Sequence, residues 1–490
     1  MAPVLPLLLL LLSSSSSPTI RAAAADEEHE YTLVALSSLQ PKATCAGHRV
    51  APPQNTTWVP LNLPHGPCSP LSGGATTPPS VAELLRHDQL RVDDILTRLS
   101  GIPINDSKPT RSVGGPNAQM NGNLIDVGVG PAQSPPSAWA QQQLSGLSGG
   151  IDAVAAQSSL PAGVLRQTVV VDTASDVPWV QCVPCPIPPC HPQTNTFYDP
   201  TKSRTYAAFP CGSPACRQLG PYANGCINNQ CQYKVTYPDG SSSSGTYSSD
   251  VLTFDATHAV SNFQFGCSHA EQGSFDNRAA GIMALGGGPE SLLAQTASRW
   301  GNAFSYCIPP TSSNSGFFGL GVPGGVASSR YVVTPMLRYP NLPTFYRVLL
   351  RAITVGGQRL NVPAAVFSAG SVMDSRTAIS RLPPTAYAAL RAAFRNAMRM
   401  YRPAPPKGNL DTCYDFTGVA NVRLPRIALV FDRNAVVELD PSGILFSSCL
   451  AFASNRDDHM PGILGSVQQQ TYEVLYAVGG GAVGFRRAAC

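Results

Sequence analysis

Two short stretches carry the same arrangement of reactive side chains. In VVVDTAS (Val169 to Ser175) and SVMDSRT (Ser371 to Thr377), an aspartate closes an apolar run, and hydroxyl residues flank a third residue after it. A strand entering a core rarely carries an acid without a use for it. Asp172 and Asp374 lie about two hundred residues apart, one domain length each. Two carboxylates about a hydrogen bond apart cannot both ionise easily, so they share a proton. The charged one takes a proton from a trapped water, and the neutral one polarises or protonates a substrate carbonyl. That is general acid–base hydrolysis with no metal, cofactor or covalent intermediate. Ser175 and Thr377 can donate to the carboxylates, and Thr173 and Ser375 can clasp across the two halves. Either turn alone reads as an Asx or ST turn. The pair says more, because each has a later apolar–Gly companion: GIMALGGG (Gly281 to Gly288) and GILGS (Gly462 to Ser466).

The elements that must position these turns are short strands. QTVVVDTASDVPWVQC, CQYKVTYPDGSSSSGTYSSDVLTF, FQFGCS and FYRVLLRAITVGGQRL are rich in Val, Tyr, Phe and Thr and are broken by Gly, Pro, Asp and Ser. Gly (43) and Pro (46) are plentiful and charged residues make up only 13% of the 490, which favours a loop-rich β protein. The net charge of +4 gives no argument for a nucleic-acid partner. A few short helices interrupt, such as PPTAYAALRAAFRNAMRMY. The expected class is mostly all-β, with two related lobes each delivering one aspartate.

Ahead of the β-rich region the chain changes character. Leu7 to Leu12 form an apolar run too short to span a bilayer, and Ala22 to Ala25 offer a cleavage site, so residues 1–25 read as a secretory signal. Residues 26–155 read as propeptide and linker, 156–335 as the N-terminal lobe and 336–490 as the C-terminal lobe. In the propeptide, SVAELLRHDQLRVDDILTRL opens on a capping box, Ser80 with Glu83, and repeats Val81, Leu84, Leu85, Val92, Ile95, Leu96 and Leu99 at helical spacing. Arg86, His87, Arg91 and Arg98 on it could neutralise an acidic cleft; a solvated helix face is the plainer reading. Asn55 and Asn105 head glycosylation sequons. No later segment suits a membrane anchor. Export from the cell is expected, with the vacuole as the alternative destination, and a monomer is the default.

Fourteen cysteines in an exported chain argue for disulfides. Cys182, Cys185, Cys190 and His191 could be read as a zinc site, but an oxidising compartment favours disulfides.

These residues together resemble the pepsin-like aspartic proteases, specifically the plant nepenthesin-like branch. DTASDVPWVQCVPC is similar to that branch's first active-site motif and YPDGSSSSGTYSSDVLTF to its flap. FQFGCSHAEQGSF, LDTCYDF, LGSVQQQTYEVLYAV and VGFRRAAC match as well. HGPCSP and RHDQLRVDDI resemble the branch's prosegment. The resemblance implies a bilobal fold with a cleft, peptide or protein substrates, Asp172 and Asp374 as the dyad, Tyr237 at the flap tip, and Trp179 bonded to or packed behind it. It implies disulfides Cys182–Cys185, Cys190–Cys267, Cys211–Cys231, Cys216–Cys226, Cys307–Cys490 and Cys413–Cys449, leaving Cys45 and Cys68 for each other or free.

The chain departs from that pattern in four places. Ala174 and Arg376 stand where the family has Gly in each active-site turn, and Pro238 stands where the flap has Gly. The strand normally preceding the first aspartate is degraded in AVAAQSSLPAGVLRQTVVVD. An arginine aimed at the dyad would ion-pair with a carboxylate and lower its pKa. Two functions are therefore expected: an aspartic endopeptidase, or an inactive relative that binds peptides or proteins, an inhibitor of glycan hydrolases included.

Overall fold

A computed structural model describes residues 30–47, 57–71, 79–100, 122–131, 160–161, 163–186, 190–237, 240–273, 278–322, 330–487 and 490. The proposed signal segment, Asn55, Asn105 and Pro238 lie outside the described residues. The fold is mostly β, in two lobes.

The repeat seen in the sequence is a repeat of strand order. In the N-terminal lobe, Leu165–Asp172 pairs parallel with Gly281–Ala284, Met283 opposite Val171. That strand pairs antiparallel with Trp179–Gln181, which runs parallel to Ala259–Gln272. In the C-terminal lobe, Ser371–Met373 pairs parallel with Gly462–Leu464, Met373 opposite Leu464. Gly462–Leu464 then pairs antiparallel with Ser380–Leu382, which runs parallel to Phe452–Ser454. Each apolar–Gly companion is thus the strand beside its aspartate. Both aspartate strands are buried over the residues nearest the acid, which is why they read as continuous apolar runs rather than alternating ones.

The N-terminal part of the chain is woven into this frame. Strand β1 (Tyr31–Ala35) pairs with Asn421–Pro425 of the C-terminal lobe. Strand β2 (Val59–Asn62) lies between Gly316–Leu320 and strand β3 (Leu124–Val129). β3 in turn pairs antiparallel with strand β4 (Leu165–Asp172) across six residue pairs, Leu124–Val170 to Val129–Leu165. β2 and β3 thus lie within residues 26–155, expected to be propeptide and linker. The strand preceding the first aspartate is not degraded; it is NLIDVGVG, inside what reads as linker, separated from β4 by residues 130–164.

Helix α1 (Val81–Ser100) lies in the cleft between the lobes. Ser80 Oγ accepts the Glu83 N–H at 3.2 Å, one of the start bonds the sequence suggests. Val92, Ile95 and Leu96 are buried against Ala174, Phe345, Val372 and Ile463 from both lobes.

Seven disulfides are formed: Cys45–Cys68, Cys182–Cys267, Cys185–Cys190, Cys211–Cys226, Cys216–Cys231, Cys307–Cys490 and Cys413–Cys449. Four pairings implied by the resemblance are corrected. Cys182 follows the strand Trp179–Gln181, which runs beside Cys267's strand with Cys267 opposite Val180, so Cys182 and Cys267 meet across the sheet. That leaves Cys185 for Cys190. Cys211 and Cys216 each take the partner expected of the other, because Cys226 and Cys231 sit opposite one another on a hairpin and present to different neighbours. His191 is no metal ligand here: its ring is hydrogen-bonded to Glu271 (2.5 Å) and the Ala279 carbonyl (2.8 Å).

Candidate active site at the lobe interface

The two turns meet and lock reciprocally. The Ser375 N–H donates to Thr173 Oγ1 at 3.0 Å, and the Thr173 N–H donates to Ser375 Oγ at 3.2 Å. Each hydroxyl then donates across to the other aspartate strand: Thr173 Oγ1 to the Met373 carbonyl (3.3 Å) and Ser375 Oγ to the Val171 carbonyl (3.1 Å). All four partners are buried, so this clasp fixes where both aspartates stand.

Asp172 and Asp374 are both fully buried and face one another. Their inner faces are oriented by the turns themselves. The Ala174 N–H donates to Asp172 Oδ1 at 2.9 Å, so alanine keeps the bond that glycine would make, and its methyl packs under α1. Thr377 donates to Asp374 Oδ2 through its N–H (2.9 Å) and its hydroxyl (2.6 Å). Ser175 differs from expectation: its buried hydroxyl has no hydrogen-bond partner among the described residues, a carboxylate included.

Two arginines enter the site. Arg91 projects from α1 between the carboxylates. Its Nη2 donates to Asp172 Oδ1 (2.6 Å) and Asp374 Oδ1 (2.9 Å), Nε donates to Asp374 Oδ2 (3.0 Å) and Nη1 to Asp172 Oδ2 (3.2 Å). A solvated helix face was the plainer expectation for this residue; the structure places it at the centre of the dyad. Arg98 also reaches the cleft, donating to the Ala174 carbonyl at 3.2 Å and lying over the Phe345 ring. Arg86 instead contacts His87 beside it on the helix.

Arg376 comes from the second aspartate turn itself. Its Nη1 donates to Asp172 Oδ2 at 2.8 Å, and its guanidinium lies over the Tyr237 ring. Gly122 makes room for it: a Cβ there would sit 3.1 Å from Arg376 Cγ and 2.4 Å from Val170. Tyr237 accepts the Trp179 indole N–H at its hydroxyl (2.6 Å), so Trp179 braces the flap tyrosine from behind.

The electrostatics follow from burial and these cations. Burial pushes the Asp172 carboxyl up, but Arg91 and Arg376 together outweigh it and hold it far below the usual carboxylate range. Asp374 is pushed up by burial and by the neighbouring Asp172, yet Arg91 and the Thr377 hydroxyl leave it below its ordinary value. With α1 docked, the Arg91 guanidinium bridges the two carboxylates and holds both toward their ionised forms, which opposes a shared proton.

Asp88 and Arg381 form a second buried charged contact beside the dyad that the sequence reading passed over. Asp88 accepts the N–H of Ala378 and of Ile379 and is ion-paired with Arg381 Nη2 at 2.9 Å. Burial leaves its carboxyl raised despite that cation. The sequence did hold a signal: Leu84, Asp88, Arg91 and Ile95 form one stripe of α1, and two of its four members are charged.

The matches to known proteins agree with this geometry. Residues 162–322 match the family model described as xylanase inhibitor N-terminal and 345–487 the one described as xylanase inhibitor C-terminal. An aspartyl protease family protein of Arabidopsis thaliana is 35% identical over 474 residues, 93% of this chain and 92% of its own length. Aspartic proteinase nepenthesin-2 of Nepenthes gracilis is 33% identical over 341 residues, 66% of this chain and 74% of its own length. In the solved structures, basic 7S globulin from soybean overlays with a TM-score of 0.54 at 20% identity, covering 66% of this chain and 88% of that one, a likeness of fold alone. With its two aspartate turns, its strand order and these relatives, the chain belongs to the plant family of pepsin-like aspartyl proteases.

Proposed function

We propose that this chain is an exported aspartic endopeptidase made as a latent precursor, with α1 as the plug. The observation that carries the reading is Arg91, bonded to both carboxylates of a clasped, fully buried Asp172–Asp374 pair. A cation is needed there only if the two acids are held close enough to repel one another. Once α1 leaves, the cleft opens to a peptide, Tyr237 covers it, and the dyad regains a water.

Arg376 then decides which acid does what. It touches Asp172 and not Asp374. It therefore keeps Asp172 ionised as the base, and Asp374, facing an anion, takes up the shared proton and serves as the acid. The seven disulfides suit the export route. Acid-processed protein is expected to cleave denatured globin between pH 3 and 6 with inhibition by pepstatin.

A second reading rests on the same contact. If the Arg376–Asp172 pair excludes the water, the protein binds peptides or proteins without cutting them, in line with the inhibitor description of its family models. No pepstatin-sensitive cleavage, and none gained on Arg376→Gly with Ala174→Gly, selects this reading over the first.

A further inference from the structure

Trp179 and Arg381 are counterparts. Each lies seven residues after its aspartate, each sits on the strand antiparallel to the apolar–Gly companion, and each is a large, fully buried side chain. In the N-terminal lobe that position braces the flap tyrosine. In the C-terminal lobe it is a cation, and among the described residues the carboxylate paired with it is Asp88 of α1. Arg381 Nη1 donates to the Ile379 carbonyl at 2.6 Å, a neutral partner that does not balance the charge.

Around Asp88 the cleft forms a complete carboxylate cradle: the Arg381 guanidinium and the backbone N–H groups of Ala378 and Ile379. Asp88 and Ala378 line a cavity of ≈ 810 Å³ that also reaches Arg91, Ser375 and Arg376 beside the dyad, and Arg381 lies buried behind them. Departure of α1 removes the only anion described there and leaves a buried cation uncompensated, which is costly.

We propose that this cradle is a specificity site of the activated enzyme, taking an aspartate or glutamate side chain of the peptide substrate. The inference rests on the peptidase reading for its setting. Asp88 is one helical turn from Arg91, which marks the dyad, and side chains three apart on a helix are about 5–6 Å apart. An extended peptide rises about 3.3 Å per residue and repeats a face every second residue. A substrate's acidic side chain therefore falls about two residues from the bond being cut. The arrangement is a charge-assisted one, with two amide donors and a guanidinium converging on one carboxylate, which favours an acid over its isosteric amide.

Two measurements test this. In the first, cleavage sites made by the acid-activated full chain in a protein digest are mapped at pH 5. Aspartate and glutamate are expected to be enriched at one fixed position near the scissile bond, and the enrichment is expected to be lost in Arg381→Gln. A profile with no acidic preference overturns the proposal. The second needs no catalysis and survives a poorly folding Arg381 variant. A labelled peptide copying residues 81–100 is added to the full chain carrying Asp88→Asn and Arg91→Ala, whose own helix is loosened. The native peptide is expected to bind about ten-fold more tightly than its Asp88→Asn form. Equal affinities overturn the proposal. If no cleavage is seen, the peptide comparison alone decides it, and the missing cleavage counts against the peptidase reading.

Discussion

Arg376 Nη1 lies 2.8 Å from Asp172 Oδ2, an ion pair made between the two aspartate turns themselves. Arg91 makes a similar contact with the other oxygen of the same carboxylate, but from α1. Asp172 thus has one cation from α1 and one from the turn of the other lobe. Among the described residues the cation paired with Asp374 is Arg91 of α1 alone. The dyad is symmetric in its backbone and asymmetric in its charge.

Replacing the resident cation should be visible in a pH–rate profile. A neighbouring guanidinium stabilises the ionised form of Asp172, so the base persists to lower pH with Arg376 in place. In Arg376→Gly, Asp172 protonates at higher pH. The acid limb of kcat/KM in the processed enzyme should move up by about one pH unit. An unmoved limb, or one displaced downward, would show that Arg376 does not face Asp172 during turnover.

The proposed latency turns on Arg91. Arg91→Met leaves two buried carboxylates facing one another with Arg376, on Asp172 alone, as the remaining cation, a loss of about 3–5 kcal/mol for docked α1. Amide hydrogens of Leu85 to Leu96 should exchange at least ten-fold faster in the unprocessed chain. Protection equal to wild type would mean that apolar packing alone holds the helix in the cleft.

Acidification pulls on the helix in two directions. Docking lowers the carboxyls of Asp172 and Asp374, so their contribution is fully present above the ordinary carboxylate range. It is lost as pH falls below about 4 toward their depressed values. Docking raises Asp88 and Asp94, chiefly by burial, and these two favour the docked state as pH falls. Arg91, Arg98, Arg376 and Arg381 face them throughout as fixed charges. Helix release monitored from pH 6 to 2 should therefore begin below pH 4, and Asp88→Asn should move its midpoint to higher pH by removing an opposing proton uptake. A midpoint unchanged by this substitution would place Asp88 outside the transition.

The clasp has a stability signature. Thr173→Val keeps the volume but removes the oxygen that accepts the Ser375 N–H, leaving that buried donor unpaired. A loss of about 1–3 kcal/mol in denaturant unfolding is expected, with m unchanged. A neutral substitution would indicate that the two turns are held apart from this bond by packing alone.

How much of this was legible differs by residue. Asp172 and Asp374 stand out because an acid after a buried apolar run is costly, and the cost recurs at domain spacing. Their companion strands were visible for the same reason, as short apolar runs ending in Gly. β3 was missed because LIDVGVG is brief and lies in sequence otherwise rich in Gly, Pro and Ser; only its pairing with β4 gives it order. Arg91 was discounted because a helix sequence does not say which face a partner will cover. The disulfide partners depend on which strands lie side by side, and Cys182–Cys267 follows from the sheet order, not from spacing along the chain.

The position of β2 bears on what activation must undo. A backbone cut between Ser100 and Asn123 frees one end of α1 yet leaves Val59–Asn62 stitched between two enzyme strands, and β1 stitched to the other lobe. Cleavage alone would yield a two-chain particle. Full departure requires unzipping a central strand, which exposes two rows of unpaired backbone groups on β3 and on Gly316–Leu320. Whatever fills that gap, whether the retained strand, a new chain end or another molecule, becomes part of the working enzyme.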